Sequence, residues 1–207
     1  MSELTIIGRG PSWKECPFCT EELWGAASCL ITEGLKDKNY TKVFAFDDMD
    51  TPARIDELGR CMEIANSRNI PIVSTRAYAT EIFPLVEIAR EFWSSYFMPT
   101  ASYMMAYALY LKYGRLHIYG LDQGPRWIYQ SGKPHIVHWL GVALGRKVDL
   151  RIGRGSLRWA YRLGLNEVPI AFFEDDESSI AKNIGLAIRE QEIVEAEEIK
   201  NIVNVSK

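Results

Sequence analysis

The chain has 207 residues, of which 47% are hydrophobic and 25% are charged, with a net charge of −3 and an isoelectric point of about 5.7. Such a chain is long enough to form one large globular domain, or a domain with a lid, around a full core. The weak negative charge creates no field that would gather nucleic acid or an anionic membrane, so neither partner is expected. No apolar run is long enough to span a bilayer and no basic segment leads into an apolar one, which predicts a cytoplasmic protein.

The first element is a strand-favouring run at residues 4–7 that leads directly into Gly8-Arg9-Gly10-Pro11-Ser12. The two glycines let a ligand approach the backbone, and Pro11 suits the first position of a helical turn. Strands of α/β sheets that hold a phosphate end in this way. The third glycine of the dinucleotide fingerprint is replaced by Trp13, which disfavours NAD or FAD. A tight turn without a ligand is the alternative.

A pair of cysteines follows in Cys16-Pro17-Phe18-Cys19, which resembles the glutaredoxin redox motif. A reactive thiolate would need a helix N-terminus directly behind it to lower its pKa. The next residues predict a turn and a short strand at 22–27 instead. A loop with incidental thiols is therefore the preferred interpretation, and a thiol oxidoreductase is kept as an alternative.

Carboxylates collect where the strand predicted at residues 41–46 stops, at Asp47, Asp48 and Asp50. The carboxyl ends of parallel strands line the ligand crevice of a sheet, so these side chains could hold ribose hydroxyls or a divalent ion. Asp48 and Asp50 have the Asp-x-Asp spacing of many metal-dependent glycosyltransferases and would hold Mg²⁺. The alternative is that Asp50 only caps the helix predicted from 53 to 67.

The middle of the chain alternates strands and helices. A short strand is predicted at 69–73, then an aromatic-rich segment at 78–98 in which Pro84 opens a helix. Thr100 and Ser102 precede a buried helix predicted from 103 to 113, ended by Gly114. The strand at 115–119 ends in Gly120-Leu121-Asp122. We expect the hydroxyl pair before the buried helix and the strand end at Asp122 to face the same crevice as the turn after the first strand.

The last third begins with a lid loop predicted at about 123–134. A helix at 135–145 carries His135 and His138, three residues apart. A strand at 147–152 and a helix at 156–163 complete the domain, which we place at 1–175. Residues 176–207 read as a C-terminal amphipathic helix whose acidic character disfavours membranes and favours packing on the body or a homo-oligomer.

This order of elements predicts the fold class, an α/β Rossmann-like, mostly parallel sheet flanked by helices, with a small lid and a C-terminal helix. A ligand would bind at the carboxyl ends of its strands.

The turn at Gly8–Ser12, the segment Thr100-Ala-Ser102-x-x-Met105, the strand end at Asp122 and the histidine-bearing helix resemble, in that order, the small bacterial sialyltransferases that use CMP-sialic acid. They also resemble pterin-diphosphokinase-like proteins and phage-encoded proteins of unassigned role. The resemblance covers about the first 145 residues. It implies that Gly8, Gly10 and Ser12 hold the CMP phosphate and that Ser102, with Thr100 beside it, touches the donor. It also implies that His138, or else His135, is the general base.

The chain departs from those enzymes at two asparagines that read the nucleotide, where it has Arg9 and either Ala26 or Ala27. The Arg9 side chain and the backbone of Gly10, Pro11 and Ser12 could still bind a phosphate group.

Two functions follow from these residues. The first is a nucleotide-dependent transferase, sialyltransferase-like or diphosphokinase-like. In it Arg9 and the turn stabilise the leaving phosphate, His138 takes a proton and Asp122 orients the ribose or acceptor. The second is a non-catalytic nucleotide-binding or assembly protein, which the missing asparagines favour.

Overall fold

The structure is a computed structural model. It describes residues 2–47, 51–122, 127–153 and 156, together with the backbone of 171–172. The lid residues 123–126, residues 157–163 of the helix predicted at 156–163 and the C-terminal helix predicted from 176 fall outside the described part, as do Asp48 and Asp50.

Within the described residues, eight strands form one sheet in which every neighbouring pair is parallel. The strands are β1 (Glu3–Ile7), β2 (Glu22–Ala26), β3 (Lys42–Phe44), β4 (Ile72–Ser74), β5 (Glu81–Ile82), β6 (Arg115–Tyr119), β7 (Asp149–Ile152) and β8 (Ala171–Phe172). Their order across the sheet is β5-β4-β3-β2-β1-β6-β7-β8. The predicted α/β fold with a parallel sheet is therefore confirmed.

The strand order reverses between β1 and β6. The first five strands build outward from β1 in one direction, and the chain then returns to add β6 on the other side. Register is fixed along both edges of β1, where Leu4 pairs with Glu22 of β2 and with Leu116 of β6. In open parallel sheets this reversal leaves a crevice at the carboxyl ends of the two strands, because their connections leave in opposite directions.

In the part of the chain that the structure describes, four α-helices and two short 3-10 helices cover the sheet. They are α1 (Pro52–Ser67), α2 (Leu85–Phe92), α3 (Thr100–Tyr110), α4 (Trp127–Gly145) and the 3-10 turns Pro11–Glu15 and Ala27–Ile31. Alternate residues of β1 face opposite ways, so Leu4 and Ile6 pack with α3 and α4 whereas Ile7 packs with α1 and the turn at Ala27. The helix α3 is almost wholly buried, as its apolar sequence predicts.

Several boundaries differ from the sequence predictions. The buried helix begins at Thr100, not Tyr103, because Pro99 supplies an extended N-cap residue and Ser102 closes the first turn. It ends at Tyr110, with Leu111 as the C-cap residue. Lys112 then takes a left-handed φ of 63°, and the Tyr113 amide donates to the Ala108 carbonyl. This is a Schellman ending, and Gly114 is not the residue that provides it.

The region predicted as a lid loop is partly helical. Residues 127–134 form the first turns of α4, and Pro134 lies inside that helix without ending it. Proline removes one backbone hydrogen bond but does not prevent a helix from running through when neighbouring turns pack well. None of the described helices is both long and apolar enough to cross a membrane.

Candidate functional site

The carboxyl ends of β1, β2, β3 and β6 open into a crevice of about 750 Å³. Its walls are completed by one side of α1 and by the beginning of α3. The lining residues are 8–11, 26–28, 45–47, 98–101 and 120–122, with Arg54, Glu57, Leu58 and Cys61 of α1 and Met104 of α3. The turn after β1, Thr100 and Asp122 therefore share one crevice, as predicted.

Close backbone packing explains the glycines at the end of β1. The Gly8 amide donates to the Tyr119 carbonyl and the Gly10 amide to the Gly120 carbonyl, both at 2.9 Å. A Cβ atom on Gly8 would lie 2.4 Å from the Gly120 carbonyl oxygen. Gly120 itself has a φ of 70°, which disfavours any larger side chain. These glycines let the loops after β1 and β6 touch.

Ser12 and Asp122 are brought together as partners of each other. The Asp122 carboxylate accepts from the Ser12 amide at 3.1 and 3.2 Å and from the Ser12 hydroxyl at 2.8 Å. Ser12 is only 5% exposed, and its hydroxyl oxygen also accepts from the Gly120 amide at 3.0 Å. The amide that the sequence assigned to a phosphate is thus held by the protein's own carboxylate.

The two hydroxyls at the start of α3 have different surroundings. Ser102 is fully buried, donates to the Pro99 carbonyl at 2.8 Å and accepts from the Met98 amide, so it shapes the turn and does not line the crevice. Thr100 is 9% exposed and lines the crevice. Within the part of the chain that the structure describes, its hydroxyl makes no hydrogen bond. Of the two, Thr100 is the side chain available to a ligand.

Charges of both signs surround the crevice. Arg9 reaches from the turn to Glu57 of α1, with 3.0 Å between Nη1 and Oε1, and both side chains are partly exposed. Arg54 lines the same wall, while Asp47 and Asp122 lie at the ends of β3 and β6. Burial, reinforced by Glu57, raises the pKa of the neighbouring Cys61 thiol to about 11, so this cysteine is a neutral lining group near pH 7.

The predicted histidine bases do not line the crevice. His138 Nε2 lies 2.8 Å from the Ser94 hydroxyl, and the His135 ring stacks on Tyr96 at 4.0 Å. Burial, aided by the neighbouring His135, lowers the pKa of His138, which keeps its ring neutral near pH 7. Both rings instead support the segment that connects α2 to α3.

The cysteine motif has features opposite to those of a redox site. Cys16 is buried and Cys19 is exposed, and neither forms a disulfide. Burial raises the pKa of Cys16 to about 11, whereas a reactive thiolate needs a lowered value. The motif is followed by β2 and not by a helix.

The proposed metal ligands Asp48 and Asp50 lie outside the described residues. Within the described ranges, no group of three or more His, Cys, Asp or Glu side chains is placed to hold a metal ion.

Sequence reasoning missed three residues that line the crevice. Phe46 lines it directly after β3 and stacks on Tyr103 of α3 with 3.8 Å between ring centroids. Arg54 and Glu57 face it from the first turns of α1. Their positions in the sequence could have identified them. A side chain directly after a parallel strand should face the crevice, and two residues that are three apart in the following helix lie on the same side of that helix.

Comparison with known proteins returns no relative: no family model, no curated protein and no solved structure matches this chain.

Proposed function

We propose that this protein binds a nucleotide or a nucleotide-activated donor in the crevice and transfers the activated group. The observation that carries the proposal is the position of the crevice, which lies where the strand order reverses between β1 and β6. Open α/β sheets bind nucleotides at this point because loops leaving in opposite directions form a cleft.

The donor phosphate would bind at the start of α3. The amides of Thr100 and Ala101 are in the first turn of the helix, where amides lack carbonyl partners within the helix. The Thr100 hydroxyl lies beside them, and Arg9 and Arg54 line the same crevice. A phosphate there would meet amide donors, a hydroxyl and positive charge together. It would not need to displace Asp122 from Ser12.

The base or sugar would occupy the apolar part of the crevice. Phe46, Met98 and Met104 line it, and Phe46 is backed by the parallel ring of Tyr103. An aromatic ring held in this way offers a rigid stacking surface at little entropic cost. The mixture of a polar end and an apolar end fits a nucleotide better than an inorganic anion.

Transfer would release a phosphate-bearing leaving group, whose growing negative charge the α3 amides and the two arginines would stabilise. Asp122 would act through the turn as a positioning residue, because its oxygens are already engaged by Ser12. Asp47 is exposed at the end of β3 and is the carboxylate best placed to accept a proton from an acceptor hydroxyl.

A non-catalytic nucleotide-binding protein is the second candidate. The observation that favours it is the position of His138, which is hydrogen bonded to Ser94 and lies outside the crevice lining. In this version the crevice holds the nucleotide and no group is transferred.

Binding is tested by thermal shift with a panel of nucleotides and nucleotide sugars, with and without Mg²⁺. A bound nucleotide at 100 times its Kd stabilises the fold by about 2.7 kcal/mol. Thr100→Val removes one hydroxyl from the crevice and should weaken binding by about tenfold or more. Thr75→Val, at an exposed position outside the crevice, is the matched control and should bind like the wild type. A panel with no shift at millimolar concentration would overturn both candidate functions.

Turnover of the nucleotide that binds then separates the two candidates. Release of the nucleoside phosphate, lost in Asp47→Asn but retained in His138→Gln, supports the transferase. Binding without release supports the non-catalytic protein.

A further inference from the structure

Exposed apolar side chains are concentrated around α2. Among the described residues, eight large hydrophobic side chains are exposed, and six of them lie between Ile82 and Met98. Ile82 is 63% exposed, Val86 54% and Trp93 95%. Scattered surface hydrophobics are normal, but a cluster of this kind usually marks an interaction site.

We give the name α2 face to the exposed side of α2 together with its neighbours at the end of β5 and at the end of the helix. It consists of Ile82 on the edge strand β5, Leu85, Val86, Glu87 and Arg90 on α2, and Trp93 at the end of the helix. Val86, Arg90 and Trp93 are spaced four and three residues apart and so share one side of the helix. The buried residue Ile88 faces the core from the opposite side.

Trp93 is held outward by its backbone. It ends α2 with a φ of 50°, a left-handed conformation that is rare for a bulky aromatic residue. The next residues are fixed on α4, since Ser94 contacts His138 at 2.8 Å and the Tyr96 carbonyl accepts from Trp139 Nε1 at 3.0 Å. The indole therefore projects from an anchored segment, as an interface anchor does.

The charges on the α2 face are self-complementary. Glu87 and Arg90 are exposed, and neither has an ion-pair partner in the described part of the chain. Two copies of α2 packed antiparallel about a two-fold axis near the middle of the helix would place Glu87 opposite Arg90 of the partner subunit, twice. Symmetric interfaces use one surface in both copies in this way.

We propose that the α2 face binds a second copy of this chain and forms a two-fold symmetric dimer. Val86, Leu85 and Trp93 form its apolar centre. Ile82 extends it along β5, the outermost strand at that end of the described sheet, and the Glu87 and Arg90 pairs set its register. The crevice opens at the strand carboxyl ends, away from the edge formed by β5. This inference therefore stands apart from the proposed function.

The test is a charge swap measured by sedimentation equilibrium on the full chain. Glu87→Arg alone and Arg90→Glu alone place like charges opposite each other, and each should raise the dimer dissociation constant by about tenfold or more. The double variant Glu87→Arg/Arg90→Glu restores opposite charges and should restore the dimer. An equimolar mixture of the two single variants should also associate.

Glu63→Arg, on the exposed side of α1, is the matched control and should leave association unchanged. Val86→Glu should abolish the dimer while circular dichroism confirms that the chain is folded. A wild-type monomer at high micromolar concentration would overturn the proposal. So would a dimer that Glu87→Arg and Val86→Glu leave intact, which would mean that another surface, such as the C-terminal segment, joins the copies.

Discussion

At the scale of single residues, Gly10 and Asp122 depend on each other. A Cβ atom on Gly10 would lie 2.1 Å from Asp122 Oδ2, so Gly10→Ala must displace the carboxylate that Ser12 holds. We expect Gly10→Ala to lower the free energy of unfolding by about 1–3 kcal/mol, the usual cost of overpacking. Asp122→Ala leaves the Ser12 amide without its acceptor, while the Ser12 hydroxyl keeps the Ser156 hydroxyl at 2.8 Å, and it should cost about 1–3 kcal/mol.

The double variant Gly10→Ala/Asp122→Ala tests this coupling in urea unfolding. Its cost should be clearly smaller than the sum of the two single costs, because the carboxylate that the new methyl group would displace is already gone. Only the 2.8 Å approach of that methyl group to the Gly120 carbonyl oxygen remains. Additive costs would contradict the account. Gly59→Ala is the matched control: it has no atom within 4 Å of the added Cβ and lies within α1, so it should stabilise by about 0.5–1 kcal/mol.

The residue pattern placed the turn after β1 and Asp122 beside one crevice, and it assigned the Ser12 amide to a phosphate. The Gly-x-Gly-Pro-Ser turn does line the crevice at the strand carboxyl ends, and its closeness to Asp122 follows from the parallel pairing of β1 with β6. The sequence could not show that the Asp122 carboxylate would accept the hydrogen bond of the Ser12 amide. An aspartate directly after a strand looks the same in the sequence whether its side chain contacts a ligand or a neighbouring loop.

At the scale of elements, the strands were easier to predict than the helix ends. The strand β6 has the predicted bounds because three of its five residues are apolar or aromatic and a glycine flanks it on each side. By contrast, Lys112 ends α3 through a left-handed backbone conformation that a lysine does not predict. Pro134 suggested a loop, yet α4 continues through it. Helix ends depend on packing with other parts of the chain, which a local pattern does not contain.

The segment between α2 and α3 should be sensitive to acid. Burial lowers the pKa of His138 in the folded protein, so the unfolded chain binds the proton more readily. This neutral histidine contributes full stability above its unfolded pKa of about 6.5, and that contribution is lost as the pH falls toward the folded pKa. We expect urea unfolding of the wild type to weaken between pH 7.5 and 5.5.

His138→Gln keeps a polar partner for Ser94 but removes the titrating ring. The variant should lose less stability than the wild type over the same pH interval. Equal slopes for the two proteins would contradict the role of His138. His135→Gln is a second comparison, since it removes the smaller contribution of the neighbouring ring and should reduce the slope only in part.

At the scale of the whole molecule, the two ends of the sheet have different roles. The carboxyl end of the sheet forms the crevice. The amino end carries a network of ion pairs across three neighbouring strands, β1, β6 and β7. Arg115 of β6 contacts Glu3 of β1 at 2.5 Å and Asp149 of β7 at 2.6 Å, and Glu3 also meets His117 at 3.2 Å. The hydrogen bond from His117 lowers the pKa of Glu3. Burial tends to raise the pKa of Asp149, but its bonds to Arg115 and Arg151 hold it below the ordinary value.

Arg115→Gln should therefore reduce stability without changing the crevice. Its midpoint of urea unfolding should fall at pH 7. The difference from wild type should shrink as the pH falls below the ordinary carboxyl pKa of about 4, because the wild type then loses the same ion pairs as Glu3 and Asp149 become protonated. The nucleotide-induced thermal shift should stay as large as in the wild type, whereas Thr100→Val should keep the midpoint and show a reduced shift. A reduced shift in Arg115→Gln would mean that the two ends of the sheet are coupled.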